Sequence, residues 1–153
     1  MKEMTETEKA YIAGLFDGEG SVDYAKRKVK NGRSPNAKKK YHYCWKISCR
    51  IGMGDKYVLE WLHETLGFGT LRPRKVPEGM KPHWVWQCGY QLALQFAKLM
   101  WPYTQTKLHK LEQIIDHYAD MDPLKKHHYK KETITKPTAK IYYLKDIKKL
   151  NAS

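Results

Sequence analysis

The sequence predicts an α+β domain, a four-stranded antiparallel sheet with its helices on one face and the core order α-β-β-α-β-β-α. Three observations predict it. Residues 41–51 and 83–88 alternate with period two, as half-buried strands do. Residues 56–66, 90–100 and 107–121 space their apolar side chains at helical intervals. Glycine- and proline-bearing turns separate these stretches. A chain of 153 residues, 41% of them hydrophobic, is one domain's worth of ordinary globular protein, so residues 1–153 read as a single domain.

Each element has a local cause. Thr5 or Thr7 caps a first helix over about residues 7–18, with acids in its first turn, and Gly18 and Gly20 end it. From Ser21 the pattern is strand-like to about Lys30, and residues 31–40, NGRSPNAKKK, form a polar loop. In the second strand Tyr43, Trp45, Ile47, Cys49 and Ile51 share one face, and His42, Cys44, Lys46, Ser48 and Arg50 the other. Asp55 caps the next helix, which stops at Gly67. A third strand runs from Thr70 to Lys75 with Thr70, Arg72 and Arg74 on one side, and a fourth sets Trp84, Trp86 and Cys88 opposite His83, Val85 and Gln87. Two helical stretches follow. A basic loop from about residue 123 then leads to residues 139–150, whose helical spacing closes the fold.

The helices cover one side of this sheet, and the bare side is expected to carry the charge. There are 29 Lys and Arg against 16 Asp and Glu, a net of +13. Such an excess points to a polyanionic partner, with nucleic acid as the default. Residues 26–50 hold ten Lys or Arg and no acid, and further clusters lie at Arg72, Arg74, Lys75 and Lys81 and at residues 125–131. No long basic amphipathic helix favours a membrane surface, and no apolar run approaches membrane length. Cys44, Cys49 and Cys88 are odd in number and lack any standard zinc spacing. Nothing at the start reads as a signal peptide, so reduced thiols and an intracellular location are expected. By phase, Trp45, Trp84 and Trp86 sit opposite the basic side, where core packing accounts for them better than base stacking.

The stretch YIAGLFDGEGSV, residues 11–22, is the least ordinary. Gly14 inside a helix costs about 1 kcal/mol relative to alanine. With Ala13 it makes a small-residue surface, and Gly14 and Gly18 have the four-residue spacing of closely packed helix pairs. No second copy of the stretch occurs in the chain, so another copy of the whole chain is the economical partner. Two acidic tips, each with Asp17 and Glu19, would then lie together, and clustered carboxylates invite a hard divalent cation such as Mg²⁺.

IAGLFDGEG resembles the motif of the LAGLIDADG homing endonucleases: Ala13, Gly14, Leu15, Asp17 and Gly20 are identical to it, and Ile12, Phe16 and Glu19 are conservative changes. One motif in a chain of this size is similar to the homodimeric class. The resemblance implies that Ala13, Gly14 and Asp17 lie at the dimer interface and that Glu19, with the carbonyl of Gly18, holds Mg²⁺ against scissile phosphates. It implies that Asp17 stabilises the turn and that Lys107, in WPYTQTKLHK, offsets charge on the phosphate. The glutamine that often orders water near the end of the second strand is missing, and Arg50, Asp55 or Lys56 would have to substitute.

The bare face would supply specificity through Asp23, Ala25 and Arg27, then His42, Lys46, Ser48 and Arg50, then Thr70, Arg72 and Arg74, and finally His83 and Gln87. Arg reads guanine and Gln reads adenine in a major groove that admits a β-ribbon. A nine-residue strand covers roughly 30 Å, or about nine base pairs per half-site, so a two-fold dimer implies a long pseudo-palindromic target in double-stranded DNA. The competing expectation is a non-catalytic binder on the same scaffold, such as an RNA maturase assisting splicing or a transcription regulator, and RNA is a partner only there. Glu19 favours cleavage, since a pure binder has no need of a carboxylate beside phosphates.

Overall fold

The protein is described by a computed structural model that covers residues 3–30 and 40–119. The polar loop over 31–39, the basic cluster at 125–131 and the helix expected at 139–150 lie outside the described residues. The elements run α1 (Glu6–Glu19), β1 (Gly20–Lys30), β2 (Tyr41–Met53), α2 (Lys56–Leu66), β3 (Thr70–Arg74), β4 (His83–Gly89), α3 (Gln91–Met100) and α4 (Leu108–Ala119). The expected core order is present.

Thr5 caps α1: its hydroxyl accepts from the Glu8 N–H, and the Glu8 carboxylate accepts from the Thr5 N–H. Both of these N-terminal donors are thereby satisfied. Against expectation the helix runs through Gly18 to Glu19, with only Gly20 as its cap. Asp55 caps α2 by accepting from the Val58 N–H at 3.3 Å, and Gly67 ends it in the left-handed conformation.

All pairings in the sheet are antiparallel, and its strand order is β1-β2-β4-β3. Ile47, Cys49 and Ile51 of β2 and Trp86 and Cys88 of β4 join Ile12, Ala13 and Phe16 of α1 in one buried cluster. Side chains from α2, α3 and α4 complete it, among them Leu59, Leu62, Phe96 and Ile114. Phe16 meets Phe96 edge-on at 5.1 Å, which fixes α1 against α3. Cys49 and Cys88 are direct cross-strand partners in this core. The Cys88 side chain and burial together push the Cys49 thiol well up.

Candidate nucleic-acid interface

The strand register sorts the sheet's two faces. Asp23 pairs with Ser48, Arg27 with Cys44, Arg50 with Gln87, Thr70 with Gln87 and Arg74 with His83, while Cys49, Cys88, Ile51 and Trp86 pair on the core side. With His42, Lys46 and Arg72 in the same phase, every residue singled out for groove contact lies on the bare face. Several carry local partners. The Asp23 carboxylate takes Arg27 at 3.0 Å and Lys46 at 3.2 Å. Burial drives its pKa up, but the two cations outweigh it and hold the group below its ordinary value. Arg72 donates to the Gln87 Oε1 at 3.1 Å, which orients that amide.

Two expectations need correction. Ser48 is in phase but only 3% exposed, because it sits in the sheet centre between β1 and β4, so it offers nothing to a groove. Lys26, Lys28 and Lys30 do not join the basic face. They pair with Trp45, Tyr43 and Tyr41 on the opposite side.

The end of α1 meets this face. Gly20 leaves the helix in extended conformation while its N–H donates to the Phe16 carbonyl. A Cβ there would lie 2.2 Å from the Phe16 ring and 2.4 Å from the Phe16 carbonyl oxygen, so only glycine lets the chain cross the ring. Glu19 is thereby delivered to an open cleft of about 740 Å³ whose lining includes Ser21, Arg50, Arg72, Arg74 and His83. Of the three substitutes for the missing glutamine, only Arg50 lines this cleft. Asp55 is spent on the α2 cap, and Lys56 lies over Trp84 at 4.6 Å and pairs with Glu60 at 3.1 Å.

Asp17 holds the helix end in place. Its Oδ2 accepts from the Gln105 N–H at 2.8 Å, and its Oδ1 from the Thr106 hydroxyl at 3.1 Å and the Lys107 N–H at 3.3 Å. The Lys107 ammonium donates to the Asp17 carbonyl at 2.5 Å. It supplies the cation that the last turn of α1 lacks, where the helix dipole is negative. No local signal announces this tie, because its partners are about ninety residues apart in sequence. Asp17 is thus committed to its own chain's turn.

The α1 surface divides sharply. Ala13 is fully buried in the core with Ile12 and Phe16, which corrects its expected place at an interface between chains. Gly14 and Gly18 are exposed, and a Cβ on either would meet nothing within 4 Å. Tyr11, 52% exposed, continues their stripe and meets Trp61 edge-on at 5.3 Å.

Among the described residues no three His, Cys, Asp or Glu side chains cluster as a metal site. The hard-oxygen donors at the helix end are the exposed Glu19 carboxylate and the Gly18 carbonyl. Mg²⁺ keeps several waters and takes one or two carboxylates together with substrate phosphates, so such a sparse donor set fits it.

No family model matches the chain, and no curated relative matches it. Solved structures do. The homing endonuclease I-CvuI, complexed with the I-CreI target in the presence of Mg, is 16% identical and matches over 94% of this chain and 92% of its own, with a TM-score of 0.55. I-CvuI with its own target in the presence of Ca is 18% identical over 72% of this chain and 64% of that one, at 0.54. The I-SmaMI LAGLIDADG homing endonuclease bound to cleaved DNA is 16% identical over 99% of this chain, at 0.51, and this chain covers 44% of it. At such identities the likeness is one of fold.

Proposed function

We propose that this chain, which has the LAGLIDADG homing endonuclease fold, is a site-specific endonuclease of double-stranded DNA, acting as a homodimer on a long pseudo-palindromic target. The observation that carries the proposal is one continuity. The exposed Gly14–Gly18 stripe of α1 ends at Glu19, and Glu19 lies in the cleft that opens onto the arginine-bearing sheet face. Two copies meeting through that stripe bring two Glu19 carboxylates together over one duplex. The dimer assignment rests on Gly14 and Gly18, with Asp17 just behind them fixing the helix end.

Each residue has a physical task. Arg27, His42, Lys46, Arg50, Arg72, Arg74, His83 and Gln87 lie along the groove, with Thr70 beside Gln87 and Asp23 ordering the Arg27 and Lys46 cations. Glu19 and the Gly18 carbonyl would hold Mg²⁺ against scissile phosphates. That ion, when bound, supplies an activated water and stabilises the leaving oxygen. Glu19 sits at the negative end of α1, where a carboxylate attracts a cation strongly. Lys107, fixed through the Asp17 carbonyl, offsets charge that grows on the phosphate. Arg50 takes the place beside Glu19 that the missing glutamine leaves. Residues 1–153 act as one domain, and no helix among the described residues is long and apolar enough to cross a membrane.

The test selects a bound duplex from a randomised library and incubates it with Mg²⁺ and either the native chain or Glu19→Gln. The expected result is cutting by the native chain, with binding but no cutting by the variant. Equal cutting by both would remove Glu19 from the mechanism.

A further inference from the structure

The outer half of the β1–β2 hairpin has a second charged surface, on the side away from the arginines. Lys26, Lys28 and Lys30 pair with Trp45, Tyr43 and Tyr41, so a file of ammonium groups runs beside a file of aromatic rings. Further in, this side of the sheet is core. Here the rings are open: Tyr43 is 63% exposed, Tyr41 44% and Trp45 37%. The Lys28 Nζ lies 4.5 Å from the Tyr41 ring centroid and the Lys26 Nζ 5.7 Å from that of Tyr43. The inner end of the file is pinned, since Trp45 stacks on Tyr24 at 4.8 Å and meets His117 edge-on at 5.0 Å.

Charge and spacing select the occupant. An apolar partner would bury three ammonium groups without counter-charge, and a second copy would bring three more. A polyanion with flat rings satisfies both files. Rings two residues apart along a strand are about 6.6 Å apart, close to twice the 3.4 Å rise of stacked bases, so they suit an extended, unstacked strand and not a duplex. We propose that this face binds single-stranded RNA, with bases stacking on Tyr41, Tyr43 and the open edge of Trp45 and phosphates held by Lys26, Lys28 and Lys30. RNA is the polymer that displays unpaired bases in loops and ends, and its 2′-hydroxyl is what lets a protein tell it from DNA. The site is separate from the duplex face and does not depend on cleavage.

Fluorescence anisotropy of the full chain with a labelled eight-nucleotide oligouridine tests it. The Tyr41→Ser, Tyr43→Ser double variant should bind about thirtyfold more weakly or worse, since each of the two stacked bases is worth about 1–3 kcal/mol. The double phenylalanine variant should keep most of the affinity. Arg72→Ser with Arg74→Ser should weaken duplex binding and leave the oligouridine unaffected. Undiminished binding by a double serine variant with a native circular dichroism spectrum would overturn the proposal. So would equal affinity for the deoxy oligomer, or a dimer that dissociates when the rings are removed, which would make a second copy the occupant.

Discussion

Replacing Gly14 by alanine puts one methyl on the outward stripe of α1, and its effect should have opposite signs in one chain and in two. Within a chain the new Cβ meets no atom within 4 Å, so it adds no clash. Alanine is the better helix former by about 1 kcal/mol, so the isolated fold should gain about that much. Between chains a two-fold axis adds the methyl twice, at the point where two backbones approach most closely. Overpacking costs about 1–3 kcal/mol per site, so the dimer should lose at least about 2 kcal/mol, or roughly thirty-fold in its dissociation constant. Sedimentation equilibrium reads the second quantity, and urea unfolding at low protein concentration reads the first. A variant that dimerises as tightly as the native chain would refute the reasoning, because Gly14 would then face solvent with its cost offset by nothing.

Gly20→Ala places a Cβ 2.2 Å from the edge of the Phe16 ring and should destabilise the fold by about 2–4 kcal/mol, read as a lowered urea midpoint; an unchanged midpoint would mean that the crossing relaxes freely. Asp23 has a depressed folded pKa, so its contribution is complete above the unfolded value near 3.8 and is lost as pH falls through the lower folded one. Stability measured from pH 5 to pH 2 should therefore drop, and Asp23→Asn should flatten that slope; parallel slopes would show that other carboxylates dominate. Asp17→Ala frees the 105–107 turn and should reduce cleavage through Lys107 by about 10²-fold while duplex affinity changes little. Loss of duplex affinity to the same degree would show instead that the whole helix end had come apart.

Where local rules decide the structure, they were legible. The Asp55 cap, the Gly67 stop and the alternation through β2 each rest on residues within one turn or one pleat, and each stands where the pattern puts it. The end of α1 was harder. Gly18 and Gly20 look alike in sequence, but only Gly20 must cross Phe16, and that ring is fixed by Phe96 eighty residues on. The Asp17 tie to residues 105–107 was invisible for the same reason: nothing in either segment specifies the other. Ala13 and Gly14 are neighbours in sequence, yet 100° of helix rotation puts one in the core and leaves the other open.

The lysines of β1 show the limit most clearly, because charge has no phase of its own. Arg27 and Lys28 are adjacent cations, and composition counts them as one cluster, but a strand sends them to opposite faces. Phase follows from the apolar residues, and in β1 only Val22 and Tyr24 border the core before the strand runs past the helices. Beyond that point neither face is buried, so alternation ceases to mean inside and outside and comes to mean two different solvent surfaces. One continues the arginines of β2 and β3 into a groove-length sheet, and the other continues the aromatic file outward past Trp45. The cations of β1 are therefore divided between two faces of the same hairpin, and a partner for one does not account for the other.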